Sequence, residues 1–176
     1  MRKTPVNILF AILIALLAAS PVSSAELVDA RAPDFALHSI DGNTLRLSEF
    51  RSEVVLLSFA SERCTRCRQS LPFFEELHRR HQVDGLKVIG VDIDGDPRSA
   101  SHVIAELGLT FPILLDTDQS VSRLYDLNQL PLTLLIDREG TIRLVNKGFR
   151  GDSGAQIGAE LDRLLVDQMP PLEIVK

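Results

Sequence analysis

An α/β fold with a mixed sheet covered by helices on both faces is what the sequence predicts. Short apolar runs suited to strands alternate with segments of helical periodicity, and the chain closes on two strands joined by Arg138-Glu139-Gly140 ahead of a last helix. Two of the runs, residues 54–60 and 86–93, are apolar nearly throughout, as strands buried on both faces are. Taken in order, Asp41-Gly42 between Phe35-Ala36-Leu37-His38 and Thr44-Leu45-Arg46-Leu47 signals a hairpin. The strand at 54–60 follows. Residues 69–81 carry Leu71, Phe74 and Leu77 at helical spacing, with Glu75, Glu76, Arg79 and Arg80 facing elsewhere. Pro72 is expected to kink that helix one turn in, because its ring meets the carbonyl of Arg68. After the strand at 86–93 come a helix over 99–107, a short strand over 111–115 and a helical turn over 120–125. Strands at 132–137 and 141–145 and a helix over 155–166 complete the chain before Pro170-Pro171. There is no repeat, low-complexity tract or linker.

The first 25 residues read as a targeting segment. Arg2 and Lys3 form a positive start, residues 8–19 are uncharged and apolar, and Ser23-Ser24-Ala25 offers the small residues a signal peptidase accepts. The run is short for a bilayer crossing, which takes about 20 apolar residues. Residues 1–25 are therefore assigned as a signal peptide, with an uncleaved N-terminal anchor as the alternative and membrane attachment only in that case. Residues 26–176 form one domain. Either way the folded part faces an oxidising space, the periplasm or cell envelope, where disulfides persist.

A net charge of −5 with scattered basic residues excludes a strong nucleic-acid partner, which needs a dense basic stripe. The one local cluster, Arg63, Arg66 and Arg68, surrounds the chain's only two cysteines, Cys64 and Cys67. A strand ending in C-x-x-C and opening a helix presents a reversible disulfide. At the helix start, free N–H groups and the positive dipole end favour a thiolate at Cys64, and Arg63 and Arg66 add cationic charge that lowers its pKa further. Cys64 is then the attacking sulfur, and Cys67, one turn in, resolves the mixed disulfide. A fall from about 8.5 to about 5 would make the pair roughly 60 mV more oxidising, so the arginines are expected to favour an oxidant or isomerase over a reductase. A purely stabilising disulfide is poorly motivated, since so short a loop removes little chain entropy.

The order of these pieces resembles the TlpA/ResA branch of the thioredoxin fold. The resemblance rests on Ala32-Pro33-Asp34-Phe35, Asp41-Gly42, Leu47-Ser48-Glu49-Phe50, Cys64 to Cys67, Pro72, Leu130-Pro131 and Leu135-Ile136-Asp137-Arg138-Glu139-Gly140. It implies a thioredoxin-like sheet with an N-terminal β-hairpin and a central βα insertion. It also implies an extracytoplasmic thiol-disulfide oxidoreductase acting on cysteine-containing proteins, with a membrane or periplasmic redox partner and no bound cofactor. By the same resemblance Leu130-Pro131 is a cis pair opposite the cysteines. Leu130 would then offer backbone groups to an extended substrate segment, although a trans proline ending a loop is the plain alternative.

The chain departs from the family at the centre itself. Arg63 stands where Trp is usual, Arg66 where Pro is frequent, Ser70 where many members carry Glu, and Ser58 where thioredoxins bury Asp. Asp92 and Asp94, at the end of the second buried strand, are candidates to transfer protons in place of the missing acids; otherwise they accept backbone hydrogen bonds at a loop entry. His78 and His81 share a helix but lie roughly 16 Å from the cysteines, so no metal site is expected. Arg68 in place of His rules out haem attachment. Gly151 to Gly154 is too short for a phosphate loop. Two other functions stay open. A thioredoxin-like binding module or copper carrier would use the same two thiolates, and a peroxiredoxin would share the Ala-Pro-Asp-Phe opening but needs a Pro-x-x-x-Thr-x-x-Cys motif that fits neither cysteine.

Overall fold

The computed structural model describes residues 27–166 of the chain. The targeting segment and Pro170-Pro171 lie outside the described residues. Seven strands form one sheet, β1 (Ala36–Ser39), β2 (Thr44–Arg46), β3 (Val54–Ala60), β4 (Leu86–Asp92), β5 (Ile113–Leu115), β6 (Leu132–Ile136) and β7 (Ile142–Lys147), in the spatial order β2-β1-β5-β4-β3-β6-β7. β3, β4 and β5 run parallel, whereas β6 opposes β3, β7 opposes β6, and the β1–β2 hairpin opposes β5. The helices are α1 (Thr65–His81), α2 (Pro97–Leu107), α3 (Ser120–Leu124) and α4 (Ser153–Val166). The mixed α/β sheet, its leading hairpin and the insertion of α2 and β5 after β4 agree with the sequence expectation.

Strand alternation decides which residues face which layer. On β3, Val54 and Leu56 join Leu71, Phe74 and Leu77 of α1, Val103 of α2 and Ile157, Leu161 and Leu164 of α4 in one core. Val55, Leu57 and Phe59 point the other way, to Tyr125, Val121 of α3, Leu27, Ala32, Phe35 and Leu47. Three long helices thus cover one face; the other has only short α3, the 3-10 turn Leu47–Phe50 and the segment before β1. Tyr125 closes this thinner side, fully buried, with its hydroxyl donating to the Pro33 carbonyl at 2.7 Å. Burial of each such Leu or Phe contributes about 1.5–3 kcal/mol, so both layers are needed to offset chain entropy.

Several boundaries move for identifiable reasons. α2 begins at Pro97, two residues before the expected start. Asp96 caps it by accepting from the Arg98 N–H at 3.0 Å, and proline suits a first turn whose N–H would be unpaired. α4 begins at Ser153 and β5 only at Ile113. α1 starts at Thr65, which puts Pro72 about two turns in, and the helix continues past it to His81. Glu75 is buried, contrary to the expected outward face. It accepts from the Thr110 N–H and hydroxyl, both at 2.8 Å, and from Arg79 Nε at 2.6 Å, tying α1 to the loop before β5.

Candidate redox site

The site grows out of the C-terminal end of β3. Ala60 pairs with Asp92 on β4, and the Ile93 N–H donates to the Ala60 carbonyl at 3.0 Å, so the loop Ser61–Arg63 leaves the sheet beside the loop that follows β4. Cys64 ends this loop as the N-cap of α1 with extended backbone. Its carbonyl accepts from the N–H groups of Cys67 and Arg68, and its sulfur accepts from the Cys67 N–H at 3.1 Å. Cys64 and Cys67 form a disulfide with Cα atoms 5.2 Å apart. Cys64 is half-buried and Cys67 only 1% exposed, which leaves one sulfur open to a visiting thiol and shields the other.

Leu130-Pro131 comes to the same end of the sheet. Phe59 pairs with Leu132, so Pro131 lies just beyond, level with Ala60, and its peptide bond with Leu130 is cis. The Pro131 carbonyl accepts from the Gly148 N–H at 2.7 Å. Leu130 is half-buried and packs against the thinner core layer. Ser58 pairs with Thr133 across β3 and β6, and both buried hydroxyls lack a hydrogen-bond partner.

The four charged candidates have different surroundings. Arg66 is exposed and makes no ion pair among the described residues. Arg63 is paired with Asp94, its Nη2 lying 3.2 Å from Oδ1. Asp94 also accepts from the Ser61 hydroxyl at 2.7 Å and the Glu62 N–H at 3.0 Å through Oδ2. Partial burial pushes its carboxyl up, but bonds from Ser61, Arg63 and Glu62 outweigh that and hold it below the usual carboxylate range. A carboxylate held ionised by three donors is a poor proton acceptor at neutral pH. Asp92, 8% exposed, is pushed up to about 6, first by burial and then by the neighbouring Asp94 charge; backbone N–H bonds from Gly95, at 2.9 Å, and Asp94 oppose this. Gly95 adopts φ +66° with Thr117 Cα 2.6 Å from where a Cβ would stand, so only glycine fits that turn.

Behind Asp92 lies a cavity of about 40 Å³, bordered by Ala60 and Ser61 of the redox loop, Arg68 and Leu71 of α1, Gly90 of β4 and Val103 of α2. Arg68, on its border, pairs with Glu106 at 2.5 Å. Sequence reasoning missed this cavity, because its walls come from separate elements; glycine at position 90 was the one available signal. His78 and His81 do not converge on the cysteines. His78 packs edge-on against Phe111, and burial lowers its pKa, while His81 pairs with Asp84 at 3.2 Å. Among the described residues no group of three or more His, Cys, Asp or Glu could hold a metal ion, and no helix is long and apolar enough to cross a membrane.

Comparison with known proteins places this geometry. The AhpC/TSA family model matches residues 28–145. The chain is 34% identical over 122 residues to the thiol-disulfide oxidoreductase ResA of Geobacillus kaustophilus, covering 69% of this chain and 70% of that one. It is 29% identical to ResA of Bacillus subtilis over 69% and 68% of the two chains. Among solved structures, a DsbE-type thiol:disulfide interchange protein of Chlorobium tepidum superposes with a TM-score of 0.74 at 30% identity, covering 78% of this chain and 97% of the other. The chain belongs to the AhpC/TSA family, in its branch of ResA-like thiol-disulfide oxidoreductases with a thioredoxin-like fold.

Proposed function

We propose that the protein is exported to the periplasm or cell envelope and exchanges its Cys64–Cys67 disulfide with cysteines of protein substrates, drawing on a membrane or periplasmic redox partner. The observation that carries this reading is the asymmetry of the pair, a half-exposed sulfur capping a helix and a shielded one a turn further in. In the oxidising direction a substrate thiolate attacks Cys64 Sγ, the disulfide bond breaks, and Cys67 leaves as a thiolate that takes up a proton. A second substrate thiolate then attacks the mixed disulfide and releases Cys64, so two electrons pass to the protein. In the reducing direction the Cys64 thiolate attacks a substrate disulfide, and Cys67, losing its proton, attacks Cys64 Sγ and expels the second substrate thiolate. Asp92, buried at the end of β4 with its carboxyl pushed up to about 6, is the proton acceptor for Cys67. Leu130 and Pro131 line up the substrate segment beside Cys64 by β-strand addition.

Trapping tests this. Cys67→Ser, introduced into the full chain and exported, should accumulate mixed disulfides with proteins that mass spectrometry identifies, and Cys64→Ser should capture far less. Equal capture by the two variants would overturn the assigned roles.

A further inference from the structure

The three residues that precede Cys64 all bond to one carboxylate. Ser61 reaches Asp94 through its hydroxyl, Glu62 through its backbone N–H and Arg63 through its guanidinium, at 2.7, 3.0 and 3.2 Å. Two further bonds tighten the turn, since the Arg63 N–H donates to Ser61 Oγ at 3.2 Å and the Cys64 N–H donates to the Ser61 carbonyl at 3.1 Å. The carboxylate end of the arginine pair is well covered, 17% exposed, whereas Arg63 itself is 86% exposed. The acid is therefore the covered member of the pair and the arginine the exposed one.

We propose that Asp94 is the positioning residue of the redox loop, and that by binding Arg63 it withholds the charge of the residue next to Cys64 from the Cys64 sulfur. The inference rests on Cys64 being the attacking sulfur. A loop with an arginine before its nucleophile would otherwise present that cation to the thiolate. Here the strand-end carboxylate neutralises it and uses the same bond to hold the loop. The arginine before the first cysteine is then a structural anchor, and the thiolate is tuned by the start of α1. The other charged groups about Cys64 leave this unchanged. On α1, Arg68 is committed to Glu106, which His102 of α2 also approaches at 3.6 Å; Glu62 is bonded by the Ser99 hydroxyl; and Asp92 is turned into the cavity behind β4.

The test is a double-mutant cycle on thiol reactivity, measured in the Cys67→Ser background so that one thiol reports. The pH dependence of Cys64 alkylation by iodoacetamide gives its pKa in the parent, Arg63→Ala, Asp94→Asn and the double variant. Asp94→Asn keeps an oxygen for Ser61 and Glu62 but no longer pairs Arg63, and should lower the Cys64 pKa by about half a unit. Arg63→Ala should change the pKa by less than about 0.2 unit when Asp94 is present and raise it by about 0.5 unit when it is not. A difference below about 0.2 unit between the two backgrounds overturns the proposal; a larger one in the stated sense supports it. Ser61→Ala, which loosens the loop without touching the ion pair, should leave the coupling in place, and its disappearance there would count against the charge argument. Failure of the exchange reading shows separately, as absence of trapped substrates with the coupling intact.

Discussion

Cys64 and Asp94 stand at the solvent-facing rim of the redox centre, whereas Cys67 and Asp92 stand on its floor. The two aspartates leave the same strand two residues apart, yet their proton affinities are driven in opposite directions. At the rim, three donors and residual solvent stabilise the charge on Asp94. On the floor, Asp92 lies against a wall of apolar side chains with only backbone donors and like charges nearby, and the charged form is penalised. The cysteines divide in the same way, one half-exposed and one shielded. Solvation and donor count, more than residue type, assign the work.

The largest expected effect is on the cysteines. Replacing Cys64 by Ser should reduce turnover of a disulfide substrate by at least about a thousandfold, because no other sulfur among the described residues can open the exchange. Wild-type turnover in that variant would remove the rim from the mechanism.

Next comes Asp92→Asn. The native carboxyl is pushed up to about 6 from the ordinary 3.8, so folding favours its protonated form. Its contribution to stability is fully present below about pH 4 and is lost as pH rises through about 6. Asparagine keeps an acceptor for Gly95 and avoids that loss. The variant should be more stable than the parent by about 3 kcal/mol at pH 7, with little difference below about pH 4. Urea unfolding at the two pH values measures this. The same variant should slow resolution of the mixed disulfide about tenfold at pH 7. Unchanged resolution would leave Asp92 as a merely buried acid.

Filling the floor is a gentler test. A Cβ on Gly90 would lie 2.4 Å from Ile113 Cδ1, the movable end of a side chain beside the cavity. Gly90→Ala should cost about 1 kcal/mol and slow the Asp92-dependent step while alkylation of reduced Cys64 stays the same. The smallest effect is expected from Arg66→Ala. Its side chain is exposed and unpaired, so removing it should shift the reduction potential against glutathione by less than about 10 mV. A shift several times larger would show that the rim tunes the thiolate more strongly than its exposure allows.

Much of this was legible in local pattern. Residues 54–60 and 86–93 read as buried strands because, Lys87 and Asp92 apart, their side chains are apolar or small, and parallel strands covered on both faces select for that. Asp41-Gly42 announced the hairpin, and C-x-x-C after a strand announced the helix start. Pro97 and Asp96 together carried a start signal for α2 that the apolar period, beginning later, obscured. The burial of Glu75 was not legible, since it depends on Thr110, 35 positions away, arriving with two donors. The choice between Asp92 and Asp94 was likewise closed to pattern, because both read as polar residues ending a strand.

The order of residues settled the chemistry available, two sulfurs on one helical turn with arginines around them, because a turn of helix and a strand end are local structures set by neighbouring residues. Which face of the sheet received three helices, which aspartate was walled in and where the Arg63 charge went were decided only when distant segments packed together. Desolvation and charge pairing depend on neighbours in space, and those exist only once the chain has folded.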